Sequence, residues 1–193
     1  MTGTYRISPL IGFHGCEQDV AERVFSGQTH LNFSENDYDW LGSGIYFWVD
    51  SFERAMDWAR TNEKIAQPYV VGAFIDPGLC LNLTDFGVND ELKEAYHSLR
   101  IMLSQAEQPL PRNVFSQHNT LMVRRLDCAV INYLHQLRAD NNLQAFSTVY
   151  GVLEEGDSLF EGSALKEKTH VQLAVRSPNS ILGYFRPQLL ANY

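Results

Sequence analysis

What most constrains this chain is the order of its apolar patterns. Short apolar runs bounded by turn residues crowd both ends, and two long stretches with helical spacing fill the middle. "PLIGFHG", "GIYFW" and "PYVVGAFID" read as strands, and "GLCLNL" follows beyond the turn signal "DPG". "DELKEAYHSLRIMLSQAE", closed by Gln108 and Pro109, and "TLMVRRLDCAVINYLHQLRAD" predict two helices. "FSTVYGVLE", "THVQLAVRS" and "SILGYF" then restore strand character, the last two separated by "PN". A strand-rich start, helices inserted midway and strands at the end argue for an α+β domain with a mostly antiparallel sheet.

Two shorter helices complete the pattern. "EQDVAERVFSG" carries Val20, Val24 and Phe25 at helical spacing, with Gly27 as its stop. "DSFERAMDWARTNEK" opens on a capping-box pattern, Asp50 with Glu53, and lines Phe52, Ala55, Met56 and Ala59 along one face. "QTHLNFSENDYDWLGSG" is rich in Asn, Asp, Ser and Gly and predicts mostly loop. At 193 residues and 45% hydrophobic, the chain suits one domain over 1–193 with a helical insertion over roughly 88–142.

Net charge is −8 and the pI about 5.2, so the chain lacks the global attraction that drives non-specific nucleic-acid binding. A local basic groove stays open, and a basic partner protein fits the charge at least as well. No basic leader precedes an apolar stretch and cleavage site, and no apolar run is long enough to cross a bilayer, so no membrane partner is expected. Cys16, Cys80 and Cys128 are odd in number, widely spaced and without metal-ligand pattern, which points to a reduced, cytoplasmic compartment and no metal.

His14 ends one apolar run and Tyr46 lies inside another, where polar side chains are costly without partners. Either both are satisfied core residues or both face a ligand. Three motifs stand in a fixed order: "FHG" at 13–15, "GSGIYF" at 42–47 and "HVQLAVRSPNSI" at 170–181. Together they resemble the ADP-ribosyltransferase family of the diphtheria-toxin and poly(ADP-ribose) polymerase branch. The wording "YDWLGSGIYFW" and "THVQLAVRSPNSILGYFRP" is similar to a bacterial, toxin-like subgroup.

The resemblance implies two packed, mostly antiparallel sheets flanked by helices around an NAD⁺ cleft. It implies that NAD⁺, as substrate, is held by His14, Gly15, Cys16, Tyr46 and Trp58. The Gly15 backbone would pair with the nicotinamide carboxamide, since a residue without a side chain allows close approach. His14 would hydrogen-bond the adenosine ribose. Tyr46 would stack on nicotinamide, with Trp58 closing the sandwich from the following helix. Cys16 stands where Ser or Thr commonly follows His-Gly, and offers only a weak donor. Gln172 stands at the usual catalytic Glu, so the triad reads His14, Tyr46, Gln172. An amide there can hydrogen-bond the ribose 2′-hydroxyl but supplies no full charge.

That departure favours transfer of a single ADP-ribose unit to an RNA, DNA or protein acceptor, and it leaves a general base unassigned. Glu161, in "DSLFEGS" upstream of the late strand, is the leading candidate, ahead of Glu154 and Glu155. The subgroup also implies an inhibitory antitoxin protein as partner. The alternatives are a catalytically silent module that binds NAD⁺, ADP-ribose or a protein, and an NAD⁺ glycohydrolase.

Each residue also has an ordinary reading. "GSGIYF" alone is a glycine turn feeding an aromatic strand, and Gln172 alone is a strand polar residue. Tyr38, Trp40, Phe47 and Trp48 suit a core. His170, two residues from Gln172, shares its side of the strand, with a rim position expected. Arg176 and Arg186 suit either phosphate contacts or solvated strand ends.

Overall fold

Alternation along the strands decides the architecture. The computed structural model describes residues 4–5, 9–115 and 121–188. In chain order it contains β1 (Thr4–Tyr5), β2 (Leu10–Glu17), α1 (Gln18–Phe25), β3 (Ile45–Val49), α2 (Phe52–Thr61), β4 (Pro68–Ile75) and β5 (Leu79–Asn82). There follow α3 (Asn89–Gln105), β6 (Asn113–Phe115), β7 (Leu121–Arg124), α4 (Arg125–Asp140), β8 (Thr148–Leu153), β9 (His170–Val175) and β10 (Ile181–Phe185).

The class is α+β, as the pattern predicts. The sheet differs in one respect from the expected pair of separate sheets. Hydrogen bonds join eight strands in the order β1-β5-β8-β9-β3-β2-β4-β10, and β6 and β7 form a small ribbon apart. Among the described pairings of the large sheet only β5 with β8 is parallel. The two halves meet at a narrow seam, because β2 and β3 pair only through Gly12 with Val49 and Phe13 with Trp48.

Every second residue packs the same way. Ile45, Phe47 and Val49 of β3, Leu173 and Val175 of β9, and Val71, Ala73 and Ile75 of β4 share a core with Ala21 and Val24 of α1. The intervening residues face the other side. There α2 covers Trp48 and Val70 through Ala55, while α3 and α4 cover Val149 and Ala174 through Ala95, Leu99, Ile131 and Leu134.

Two local expectations are corrected. The Asp50–Glu53 capping box does not form: Asp50 adopts φ 54°, its N–H donates to the Ile11 carbonyl, and the N-cap position passes to Ser51. The helix expected from residue 120 begins at Arg125, because residues 121–124 pair with β6. Asn113 then fixes the start of α4. Its side-chain oxygen accepts the Leu126 N–H at 2.9 Å, satisfying a donor that a helix N-terminus otherwise leaves free. Gly27, at φ 73°, does end α1 as predicted.

The inserted helices are locked by Arg138. Its Nη1 donates to Glu91 at 2.5 Å, and its Nε and Nη2 donate to the Gln144 carbonyl at 2.9 and 2.8 Å. The side chain is 7% exposed, so removing it takes a charged partner from Glu91 and two donors from the Gln144 carbonyl. Arg138→Ala should lower stability by about 1.5–3 kcal/mol, read from urea unfolding.

Candidate functional site

Where β2 and β3 part, a cleft of about 720 Å³ opens, a size usual for small-molecule sites. Beyond Phe13 the β2–β3 ladder ends. The Tyr46 carbonyl takes its hydrogen bond from a side chain: His14 Nδ1–H donates to it at 2.7 Å. A carbonyl left bare in this interior would cost free energy, so the imidazole replaces a ladder bond and lets the strands diverge. With Nδ1 carrying the proton, Nε2 of neutral His14 is an acceptor. Burial holds the His14 pKa below its ordinary value, partly offset by the bond to Tyr46.

His14, Gly15, Cys16, Tyr46, Trp58 and Gln172 all line this cleft. Glu161 does not: it is exposed on the loop between β8 and β9, and the carboxylate from that segment at the cleft is Glu155.

Tyr46 is anchored at its far end. Its hydroxyl accepts from the Leu41 N–H at 2.8 Å and donates to the Gly42 carbonyl at 2.7 Å. Burial raises the phenol pKa far above its ordinary value, so the hydroxyl keeps its proton. The loop it holds is clamped from α4 and from the end of β9. Asn132 Oδ1 accepts from Ser43 N–H at 2.9 Å, and Arg176 Nη1 donates to the Ser43 carbonyl at 2.8 Å. Gly42 sits at φ 75°, and a Cβ there would lie 2.8 Å from Asn132 Oδ1, so only glycine suits the turn.

Gly15 has a packing reason beside the role the resemblance implies. A Cβ at this position would lie 2.4 Å from the Ala55 carbonyl and 3.1 Å from the Ala59 Cβ. Its bareness admits helix α2 against the strand. That helix carries Arg54 and Trp58, four residues apart and so on one face. Trp58 is 38% exposed, with its ring 5.7 Å from that of Trp48 at 45°. The Cys16 thiol is pushed up to about 11, by burial first and by Glu17 second, and stays protonated.

Gln172 pairs with Trp48 on β3 and with Gly151 on β8, and its amide makes no hydrogen bond among the described residues. His170 is not at the rim. It is 6% exposed, donates from Nδ1 to the Lys168 carbonyl at 2.6 Å, and stacks on Trp40, with centroids 6.2 Å apart. Trp40 and Trp48 themselves line the cleft, whereas Phe47 is wholly buried. Arg176 serves the loop and Arg186 pairs with Glu22, and neither borders the cleft.

Sequence reasoning missed Arg54 and the loop carboxylate Asp39. Arg54 Nη1 donates to Asp57 at 3.0 Å and Nη2 to Glu155 at 2.5 Å, over the face of Trp48. Its four-residue spacing from Trp58 was the available signal. Asp39 accepts from Ser34 Oγ at 2.6 Å and from Asn36 N–H at 3.0 Å, which shapes the loop wall. Among the described residues, no group of three or more His, Cys, Asp or Glu is arranged to hold a metal ion, and no helix is long and apolar enough to cross a membrane.

Comparison with known proteins adds nothing to this geometry: no family model matches the chain, and no curated relative matches it.

Tyr46→Phe keeps the ring on the cleft wall but strands the Leu41 N–H and the Gly42 carbonyl. A stability loss of about 1–3 kcal/mol is expected in denaturant titration. A second expectation concerns pH. Burial lowers the pKa of His14 and His170, and that of His135 to about 3. The unfolded chain, titrating near about 6.5, therefore binds more protons below that pH than the folded one. Stability should be full above about pH 7 and fall toward about pH 5, by up to ~1.4 kcal/mol per pH unit for each such histidine. Urea unfolding across that range measures the slope, and His135→Gln should flatten it.

Proposed function

We propose that this cleft binds NAD⁺ and that the protein is a cytoplasmic, toxin-like mono-ADP-ribosyltransferase, with an ADP-ribosyltransferase-like fold, acting on a macromolecular acceptor. The observation that carries the reading is the convergence of His14, Tyr46, Trp58 and Gln172, from four separate elements, around one cavity. The motif resemblance supplies the roles. His14 Nε2 is free to accept from an adenosine ribose hydroxyl, and the rings of Tyr46 and Trp58 offer flat surfaces for nicotinamide. Gln172 has an unspent amide for the nicotinamide ribose.

Scission of the nicotinamide–ribose bond passes through an oxocarbenium-like transition state, as glycoside hydrolysis does. Neutral nicotinamide leaves, and a nucleophile of the acceptor, RNA, DNA or protein, bonds to the same carbon. Gln172 acts by positioning, since its amide brings a hydrogen bond without a full charge. An inhibitory partner protein, an antitoxin, belongs to the same proposal.

A second reading, a silent NAD⁺- or ADP-ribose-binding module, is favoured by one specific observation. Among the described residues Arg54 is the one Lys or Arg lining the cleft, and it is already bound to Asp57 and Glu155. That pairing offsets the Glu155 carboxylate, and with Gln172 neutral little negative charge remains to stabilise the sugar as it becomes cationic. Simple glycohydrolysis is the third reading.

Calorimetry with NAD⁺, and labelled NAD⁺ incubated with a cell lysate, separate the three. Transfer predicts label in macromolecules. Glycohydrolysis predicts nicotinamide release alone, and the silent module predicts binding alone. Tyr46→Ala should weaken NAD⁺ binding by about 1–3 kcal/mol. Gln172→Ala should reduce transfer more than binding, because its contact matters most as the sugar becomes cationic. Equal losses would leave Gln172 a structural role only.

A further inference from the structure

The described carboxylates of the cleft are not equally able to act on a bound molecule. Glu17 spends both oxygens on backbone donors, the N–H groups of Ala66 and Gln67 at 2.7 and 2.8 Å. Asp39 spends both on Ser34 and Asn36. Glu35 is exposed, and no hydrogen bond among the described residues holds it.

Glu155 is different. It lies just beyond β8, four residues after Gly151, the residue paired with Gln172. Its Oε2 accepts from Arg54 Nη2 at 2.5 Å, while Oε1 makes no hydrogen bond among the described residues. The side chain is 36% exposed and borders the cleft. The position is built from both sides. The Glu155 carbonyl accepts the Lys168 N–H at 2.9 Å, and the Lys168 ammonium and Arg54 Nη1 both reach Asp57 Oδ2 at 3.0 Å. One oxygen is thus fixed and the other is left for a ligand.

We propose that Glu155 is the general base of the reaction, an inference that rests on the NAD⁺ reading above. The acceptor's O–H or N–H group presents its lone pair to the anomeric carbon of the nicotinamide ribose. The carbon–nicotinamide bond breaks, and its electron pair leaves with nicotinamide, which departs neutral. The new carbon–acceptor bond forms, and the acceptor's proton passes to Glu155 Oε1. Gln172 holds the sugar and Glu155 takes the proton, so the two tasks are divided between β9 and the end of β8.

The test is Glu155→Gln, which keeps an oxygen for Arg54 and so spares a purely structural role. With labelled NAD⁺ and lysate macromolecules as acceptors, transfer should fall by about 10²- to 10⁴-fold. NAD⁺ affinity by calorimetry should stay within about twofold, as a base acting only on the acceptor requires. The acid limb of the transfer–pH profile should vanish in Glu155→Gln, and Glu155→Asp should recover part of the rate, with thermal melts confirming that both variants fold. Wild-type transfer by Glu155→Gln, or a matching loss of NAD⁺ affinity, overturns the proposal while leaving the NAD⁺ reading intact. A wild-type protein that binds no NAD⁺ overturns both.

Discussion

The structure turns on the bond between the His14 imidazole and the Tyr46 carbonyl. An antiparallel seam as short as that between β2 and β3 exposes backbone polar groups wherever it stops, and the interior does not tolerate them bare. A side chain that ends the ladder lets the sheet divide without an orphaned carbonyl. The same contact sets the imidazole tautomer. Fold and candidate chemistry are therefore fixed by one hydrogen bond, and the mouth of the cleft is a property of the sheet.

The inserted helices contribute to the site at one remove. Asn132 of α4, helped by Arg176 just beyond β9, grips the turn at Gly42 and Ser43, and that turn grips the Tyr46 hydroxyl. Helix α4 lines a second, more apolar cavity and not the cleft, yet it sets the tyrosine's position. Helix α2 acts directly, bringing Arg54 and Trp58 against the strand at Gly15. One wall is thus held by packing and the other by polar clamps, and the two should differ in how readily they yield.

Much of this was legible in the sequence, for reasons that individual residues make plain. Strand alternation identifies the face bearing Ile45, Phe47 and Val49, and the order of strands and helices gives the class. His14 and Tyr46 stand out because polar groups in apolar runs need partners, whereas Gln172 is marked only by the motif resemblance. The seam was not legible, since whether two sheets stay joined depends on two residue pairs and not on pattern. Asp50 and Ser51 look alike as caps, and only the backbone turn at Asp50 decides between them. Glu155 and Glu161 sit in one polar loop with similar neighbours. Their fates differ because Arg54, a hundred residues earlier in the chain, reaches the first and not the second.

The close approach of helix α2 has a consequence for how variation at residue 15 should be read. Glycine there is demanded by the Ala55 carbonyl before any ligand enters the account. Selection acting on that codon would preserve glycine equally in an enzyme, in a silent relative and in a protein whose cleft had been abandoned. Drift after loss of activity would register first at Gln172, whose amide no hydrogen bond among the described residues ties to the fold, and not at His14, which the Tyr46 carbonyl still requires.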